Sequence, residues 1–325
     1  MGGGLSPVVA AVRNGVHASL DGYPPGDLVL AACSGGPDSL ALAAALAFVA
    51  PRAGLRAGAV TVDHGLQAGS ADRATHVAAT LRGLGLDPVV AVAVTVDGDG
   101  GPEAAARTAR YAALEKAAAD LGAAAVLLGH TLDDQAETVL LGLARGSGAR
   151  SLAGMAPRRG IFLRPLLGVR RQETTGACAA LGLAPWEDPH NADRRFARVR
   201  VRLDALPALE AALGPGVAQA LARTADQLRD DAEVLEKISS NERTVDTASL
   251  ARLPGAVRNR VLRTAALAAG CPAGTLTSAH VARVAELVSN WHGQRWIDLP
   301  GGVRASRRSG EVVFETAKEW VHGRR

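Results

Sequence analysis

The chain has 325 residues, 48% of them hydrophobic and 21% charged, with a net charge of +4, the composition of a folded soluble protein with room for two domains. No apolar stretch is long enough and free enough of Arg, Asp or Gly to cross a membrane, and the first residues read as no charged-then-apolar leader, so the expected location is the cytoplasm. Cys33, Cys178 and Cys271 lie far apart without a C-x-x-C pair, which excludes a disulfide framework and a zinc-type spacing.

From Leu28 to about residue 165, short Val/Leu runs alternate with Ala-rich stretches. Strands are expected at 28–32, 58–62, 88–94, 124–128 and 161–164, with crossover helices at 71–84 and 103–121. Such alternation predicts an α/β fold with a doubly wound parallel sheet and helices on both faces. Residues 182–207 are polar and punctuated by Pro, and read as an excursion from the core. Val217, Leu221, Leu228, Leu235 and Ile238 then share one face of a helix expected over 217–238. Further helices are expected at 256–268 and 277–289. Three short runs at 295–299, 303–306 and 311–314 predict a small antiparallel meander. The expected division is a nucleotide-binding catalytic domain over 1–210 and a smaller, mainly helical domain over 211–325.

Ligands of doubly wound sheets bind beyond the carboxyl ends of the strands, and three motifs fall there. The first is Ser34-Gly35-Gly36-Pro37-Asp38-Ser39, between an apolar strand and an Ala/Leu-rich helix. Glycines there permit close backbone approach, and the N–H groups at a helix start form an anion site for phosphate. Asp38 would repel bare phosphate, so its role is to hold a Mg²⁺ bridging the phosphates. The segment contains neither G-x-x-x-x-G-K-[ST] nor G-x-G-x-x-G. Its Ser-Gly-Gly-x-Asp-Ser pattern resembles the PP-loop of ATP pyrophosphatases. The second motif is Asp63-His64-Gly65, and the third runs from Gly129-His130 to Asp133-Asp134-Gln135-Ala136-Glu137. The last is readable as an acidic helix start or as a cluster that takes a metal or a cationic substrate.

Arg107 and Arg110, three residues apart on a helix, share a face able to grip phosphate; a surface pair with Glu103 is the alternative. Residues 194–202 hold five arginines with apolar residues between them, a footprint for a polyanion such as RNA.

In their order, these motifs together with Arg145-Gly146-Ser147-Gly148, Arg164-Pro165-Leu166-Leu167 and Pro185-Trp186-x-Asp188-Pro189-x-Asn191 resemble the tRNA(Ile)-lysidine synthetases. The similarity spans roughly residues 28–210. It implies an adenine nucleotide alpha hydrolase-like fold with ATP and Mg²⁺ as cofactors. L-lysine and an isoleucine tRNA with a CAU anticodon are the implied partners, with a homodimer left open. The implied reaction ligates lysine to C2 of the wobble cytidine through an adenylated intermediate and changes reading from AUG to AUA. By resemblance, Ser34, Gly35, Gly36, Pro37, Asp38, Ser39, Asp63 and Gly129 meet the nucleotide, with Asp38 on the metal. Asp134, Glu137, His130 and Arg110 lie at the reacting centre, while Arg107, Asp133, Arg198, Arg200 and Arg202 meet the substrates. The alternatives are a PP-loop tRNA thiolase, which needs paired cysteines, and a nucleotide-binding module without catalysis.

Overall fold

The structure, a computed structural model, describes residues 6–63, 65, 69–95, 102–145, 148–186, 188–242 and 244–316. His64, Gly146 and Ser147 lie outside the described residues. The chain divides into two compact units, Met1–Arg145 with Gly154–Ala225, and Gly146–Ala153 with Asp226–Arg325.

The first unit opens with helix α1 (Pro7–Ser19), strand β1 (Leu28–Ala32), helix α2 (Pro37–Arg52), strand β2 (Arg56–Asp63), helix α3 (Ser70–Gly83), strand β3 (Val89–Ala93), helix α4 (Pro102–Asp120) and strand β4 (Ala123–Leu128). Helix α5 (Leu132–Ala144) follows β4. The short α6 (Ala149–Leu152) falls in the second unit. Two-residue strands β5 (Arg158–Arg159) and β6 (Phe162–Leu163) come next, then α7 (Arg171–Ala180), α8 (Ala197–Arg200), a π turn over Val201–Ala205, α9 (Leu206–Leu213) and α10 (Val217–Ser240).

The sheet order is β3-β2-β1-β4-β6-β5, parallel throughout except that β5 runs antiparallel to β6. Val29 and Ala31 of β1 pack with α1, α2 and α7, while Leu28 and Leu30 pack with Leu114 and Ala118 of α4. Alternate residues of one strand therefore fill two cores, which is why β1 reads as a continuous apolar run. The switch point, where strand order reverses, lies between β1 and β4. Each expected strand of this sheet is present.

The domain boundary expected at 210 differs from the division found inside α10. Ala218 and Ala222 are buried with Leu132, Ala136 and Leu206, so the first turns of α10 belong to the first unit. In the second unit, α11 (Thr247–Arg252), α12 (Gly255–Ala268) and α13 (Ser278–Ser289) enclose a core of Leu250, Val261, Leu262 and Leu287 with the small sheet. Strands β7 (Ile297–Leu299), β8 (Val303–Arg308) and β9 (Glu311–Thr316) form that antiparallel meander in the order β7-β8-β9.

Candidate active site

The glycine loop is a rigid turn between β1 and α2. Gly35 has φ of +87°, and a Cβ there would stand 2.7 Å from Val77 Cγ2; a side chain would meet both backbone strain and a packed neighbour. Ser39 Oγ accepts from Ser34 N at 3.2 Å and donates to Gly36 O at 3.0 Å, so the loop closes on its own hydroxyl. Gly36 is the N-cap of α2 and supplies no side-chain cap. The first-turn N–H groups are therefore left for an anion at the positive end of the helix. Trp186 N donates to Gly35 O at 2.9 Å, which ties the excursion after α7 to the loop.

Gly129, at the end of β4, approaches the loop from the other side of the switch point. A Cβ at Gly129 would lie 3.1 Å from the backbone of Asp38 and Ser39. At the end of β2, Asp63 Oδ1 accepts from Gly65 N at 2.9 Å.

Helix α5 begins in a capping box: Thr131 N and Oγ1 both donate to Asp134 Oδ2 at 2.8 Å, and Asp134 N donates back to Thr131 Oγ1. The other oxygen of Asp134 accepts from Arg171 at 2.9 Å and from Arg198 at 3.1 Å. Glu137, one turn on and fully buried, is held by Arg171 at 3.1 Å, Arg198 at 2.7 Å and Arg202 at 2.8 Å. Asp133 accepts from Arg171 N at 2.7 Å and stands 3.3 Å from Arg170 Nε. Burial alone would raise the Asp134 carboxyl, but Arg171 and Arg198 hold it well below the usual range.

Arg171 also reaches the glycine loop, with Nε 3.5 Å from Asp38 Oδ2. Thr174, one turn further along α7, donates its hydroxyl to Asp38 Oδ1. Burial pushes the Asp38 carboxyl up, against the pull of Thr174 and Arg171. One guanidinium thus spans the loop after β1 and the acids after β4.

A group of like charge adjoins this network. Arg107 and Arg110 lie by Tyr111 on α4, Arg164 donates to the same phenol, and His130 sits at the end of β4. Burial lowers the basicity of His130, and Arg164, Arg110 and Arg198 lower it further against the pull of Asp134, so the ring is neutral.

The arginines of the run expected to meet a polyanion have partners within the chain. Arg198 and Arg202, four residues apart on one side of the α8–π-turn segment, are committed to Glu137 and Asp134. Arg200 faces elsewhere and donates to Arg194 O and Arg195 O at 2.8 Å. Arg194 pairs with Asp204, and Arg195 with Asp193. The structure therefore brings together Asp38, Asp133, Asp134, Glu137, Arg198 and Arg202, and leaves Arg200 and Asp63 outside that network. Sequence reasoning assigned no role to Arg171, Thr174 or Tyr111. The Arg170-Arg171 pair was the one available signal, and it did not say which carboxylates those residues meet.

Cys33 and Cys178, distant in sequence, both lie at the loop: Cys33 Sγ donates to Ser39 Oγ at 3.6 Å and Cys178 Sγ to Pro37 O at 3.4 Å. Burial raises both thiols, Cys178 to about 11, which keeps them protonated rather than nucleophilic. Among the described residues, no helix is long and apolar enough to cross a membrane.

A profile described as PP-loop domain matches residues 15–209, and one described as TilS substrate binding domain matches residues 246–312. A tRNA(Ile)-lysidine synthase of Thermobifida fusca is 60% identical over 318 residues, covering 95% of this chain and 98% of the relative. Its counterpart in Salinispora arenicola is 54% identical and covers 95% and 97%. Among solved structures, a U34-tRNA thiolase from Methanococcus maripaludis with its [4Fe-4S] cluster superposes with a TM-score of 0.57 at 20% identity, over 68% of this chain and 79% of that one. At that identity the likeness concerns the fold.

Proposed function

The chain belongs to the tRNA(Ile)-lysidine synthase family, a group of PP-loop ligases, and we propose that it joins lysine to C2 of the wobble cytidine in the CAU anticodon of an isoleucine tRNA. The observation that carries this reading is Arg171, which touches Asp38 in the glycine loop and Asp134 with Glu137 on α5. ATP chemistry at the loop and substrate chemistry at the acids are thereby joined in one network.

In this reading the α2 N-terminus and the glycine backbone cradle the ATP phosphates. The cytosine O2 attacks the α-phosphorus, the bond to the bridging β-phosphate oxygen breaks, and pyrophosphate leaves. The uncharged ε-amine of lysine then forms the N–C2 bond and loses a proton, and the C2–O2 bonding pair departs with AMP. Lysidine pairs with adenine, so reading changes from AUG to AUA. Asp134 and Glu137 sit where a lysine ammonium could exchange with a guanidinium. Neutral His130 offers a lone pair beside them rather than a second charge.

Among the described residues no group of three His, Cys, Asp or Glu side chains is arranged to hold a metal alone. Asp38 brings one carboxylate, which fits a Mg²⁺ that arrives with nucleotide phosphates and keeps several waters. Asp38 would hold that ion, whose charge offsets that of the departing pyrophosphate.

Purified protein given ATP, labelled lysine and isoleucine tRNA with a CAU anticodon should yield labelled lysidine, with AMP and pyrophosphate in equal amounts. Sulfur uptake in place of lysine would establish a thiolase instead. ATP binding with neither product would leave a nucleotide-binding module.

A further inference from the structure

Three guanidiniums converge on one phenol at the α4 side of the sheet. Arg107 Nη2 lies 3.3 Å and Arg164 Nη2 3.4 Å from Tyr111 Oη. The Arg110 guanidinium carbon stands 5.8 Å from the centre of the same ring. Tyr111 is itself fixed edge-on against Phe162, with ring centroids 4.9 Å apart, and packs with the α4 core. The cations are graded in depth: Arg107 is exposed, Arg110 half-buried and Arg164 only 6% exposed.

Among the described residues this charge has no carboxylate counterpart: none pairs with Arg107, Arg110 or Arg164, and the nearby Asp134 and Glu137 are already engaged by Arg171, Arg198 and Arg202. Arg164 Nη1 donates to Ala156 O at 2.8 Å, but its Nε is buried without a partner. His130 Nδ1 is likewise buried without a partner. Burial and the like charges of Arg107 and Arg198 make the Arg110 guanidinium less basic than usual, against the pull of Tyr111. With Arg164 buried and Arg110 half-buried, like charges of this kind are costly to hold together unless an anion joins them.

We infer that Arg107, Arg110 and Arg164 form a second anion site, apart from the glycine loop, and that it takes a phosphodiester of the RNA beside the base being modified. Guanidiniums match phosphate oxygens in pairs. The ATP phosphates have their own cradle at the start of α2, which packs in the opposite core of the sheet. A phosphate contact of this kind positions the RNA without reading its sequence. The assignment to RNA rests on the function proposed above, whereas the anion site does not.

The test uses the full-length protein and a fluorescent anticodon stem-loop RNA titrated at several salt concentrations. Replacing Arg107 and Arg110 together by Gln should weaken binding several-fold and lower the slope of log affinity against log salt by about one unit. Replacing both by Lys should keep the slope, and ATP affinity should be unchanged in either variant. Inorganic pyrophosphate supplies a readout free of RNA. It should raise the melting temperature of the wild type more than that of the Gln variant, and the Gln variant, relieved of like charges, should melt higher than wild type without the anion. A fall in ATP affinity with an unchanged RNA slope would assign the phosphate to the nucleotide and overturn the RNA assignment. Equal pyrophosphate shifts and equal salt slopes would overturn the site itself. A protein that makes no lysidine yet keeps the differential pyrophosphate shift would overturn the functional reading and leave the anion site standing.

Discussion

Arg198 Nε stands 2.7 Å from Glu137 Oε2, on a carboxylate with no exposed surface. Arg171 and Arg202 reach the same carboxylate at 3.1 and 2.8 Å, so three cations share one buried anion. Removing that anion would leave guanidiniums facing one another. Breaking a buried pair costs about 3–5 kcal/mol, and the partial exposure of the three arginines moves the cost toward the lower end. Glu137→Gln is therefore expected to lose roughly 3 kcal/mol of stability in urea denaturation with an unchanged m-value. A loss too small to resolve would show that the network relaxes into solvent.

Thr174 bears on the loop through Asp38, its hydroxyl donating to Oδ1 from the second turn of α7. Thr174→Val keeps the shape and removes the donor, whereas Thr174→Ser keeps the donor. The valine variant is expected to bind Mg-ATP more weakly by about ten- to a hundredfold, the worth of one hydrogen bond to a charged group, with the serine variant near wild type. A calorimetric titration that finds both variants alike would remove Thr174 from the positioning of Asp38.

A side chain at Gly129 would be crowded, because a Cβ there would meet the backbone of Asp38 and Ser39 at 3.1 Å. Backbone at both ends of a contact cannot give way as a flexible side chain would. Gly129→Ala should push β4 away from the loop and reduce ATP affinity far more than it reduces the melting temperature. Unchanged ATP binding would mean that the switch point tolerates widening.

Much of this site was legible in the sequence, because its parts are local. The run 28–39 encodes a buried strand, a glycine turn and a helix within twelve residues, and Thr131 to Glu137 encodes a cap with acids one turn apart. What joins the parts is not local. Arg171 meets Asp38, Asp134 and Glu137 only after the chain has wound across the sheet, and nothing in the composition of α7 announces that meeting. The partners of the arginine run were hidden for a different reason. Read as a string it is uniform charge, yet on a helix residues 198 and 202 share a side and residue 200 does not. Applying that spacing to the run separates two half-buried partners of Glu137 from one exposed arginine. The expected boundary at 210 differs from the division inside α10 because Ala218 and Ala222 read as helix formers and pack as core.

His130 links the site to pH. Its ring is neutral because burial, with Arg164, Arg110 and Arg198 facing it, outweighs the attraction of Asp134. In the unfolded chain a histidine takes up a proton near pH ~6.5. Below that pH the unfolded state binds a proton that the native state refuses, until the much lower native pKa is reached. Stability should therefore fall as pH drops from ~6.5, by up to about 1.4 kcal/mol per unit from this residue. His130→Gln keeps a neutral polar side chain and removes the titration. The difference in unfolding free energy between variant and wild type, followed from pH ~7 to ~4.5, should grow in favour of the variant as acid is added. Carboxylates elsewhere titrate alike in both proteins and cancel in that difference. Parallel curves over the whole range would mean that His130 titrates in the native state as it does unfolded, and that burial and the three arginines do not hold it neutral.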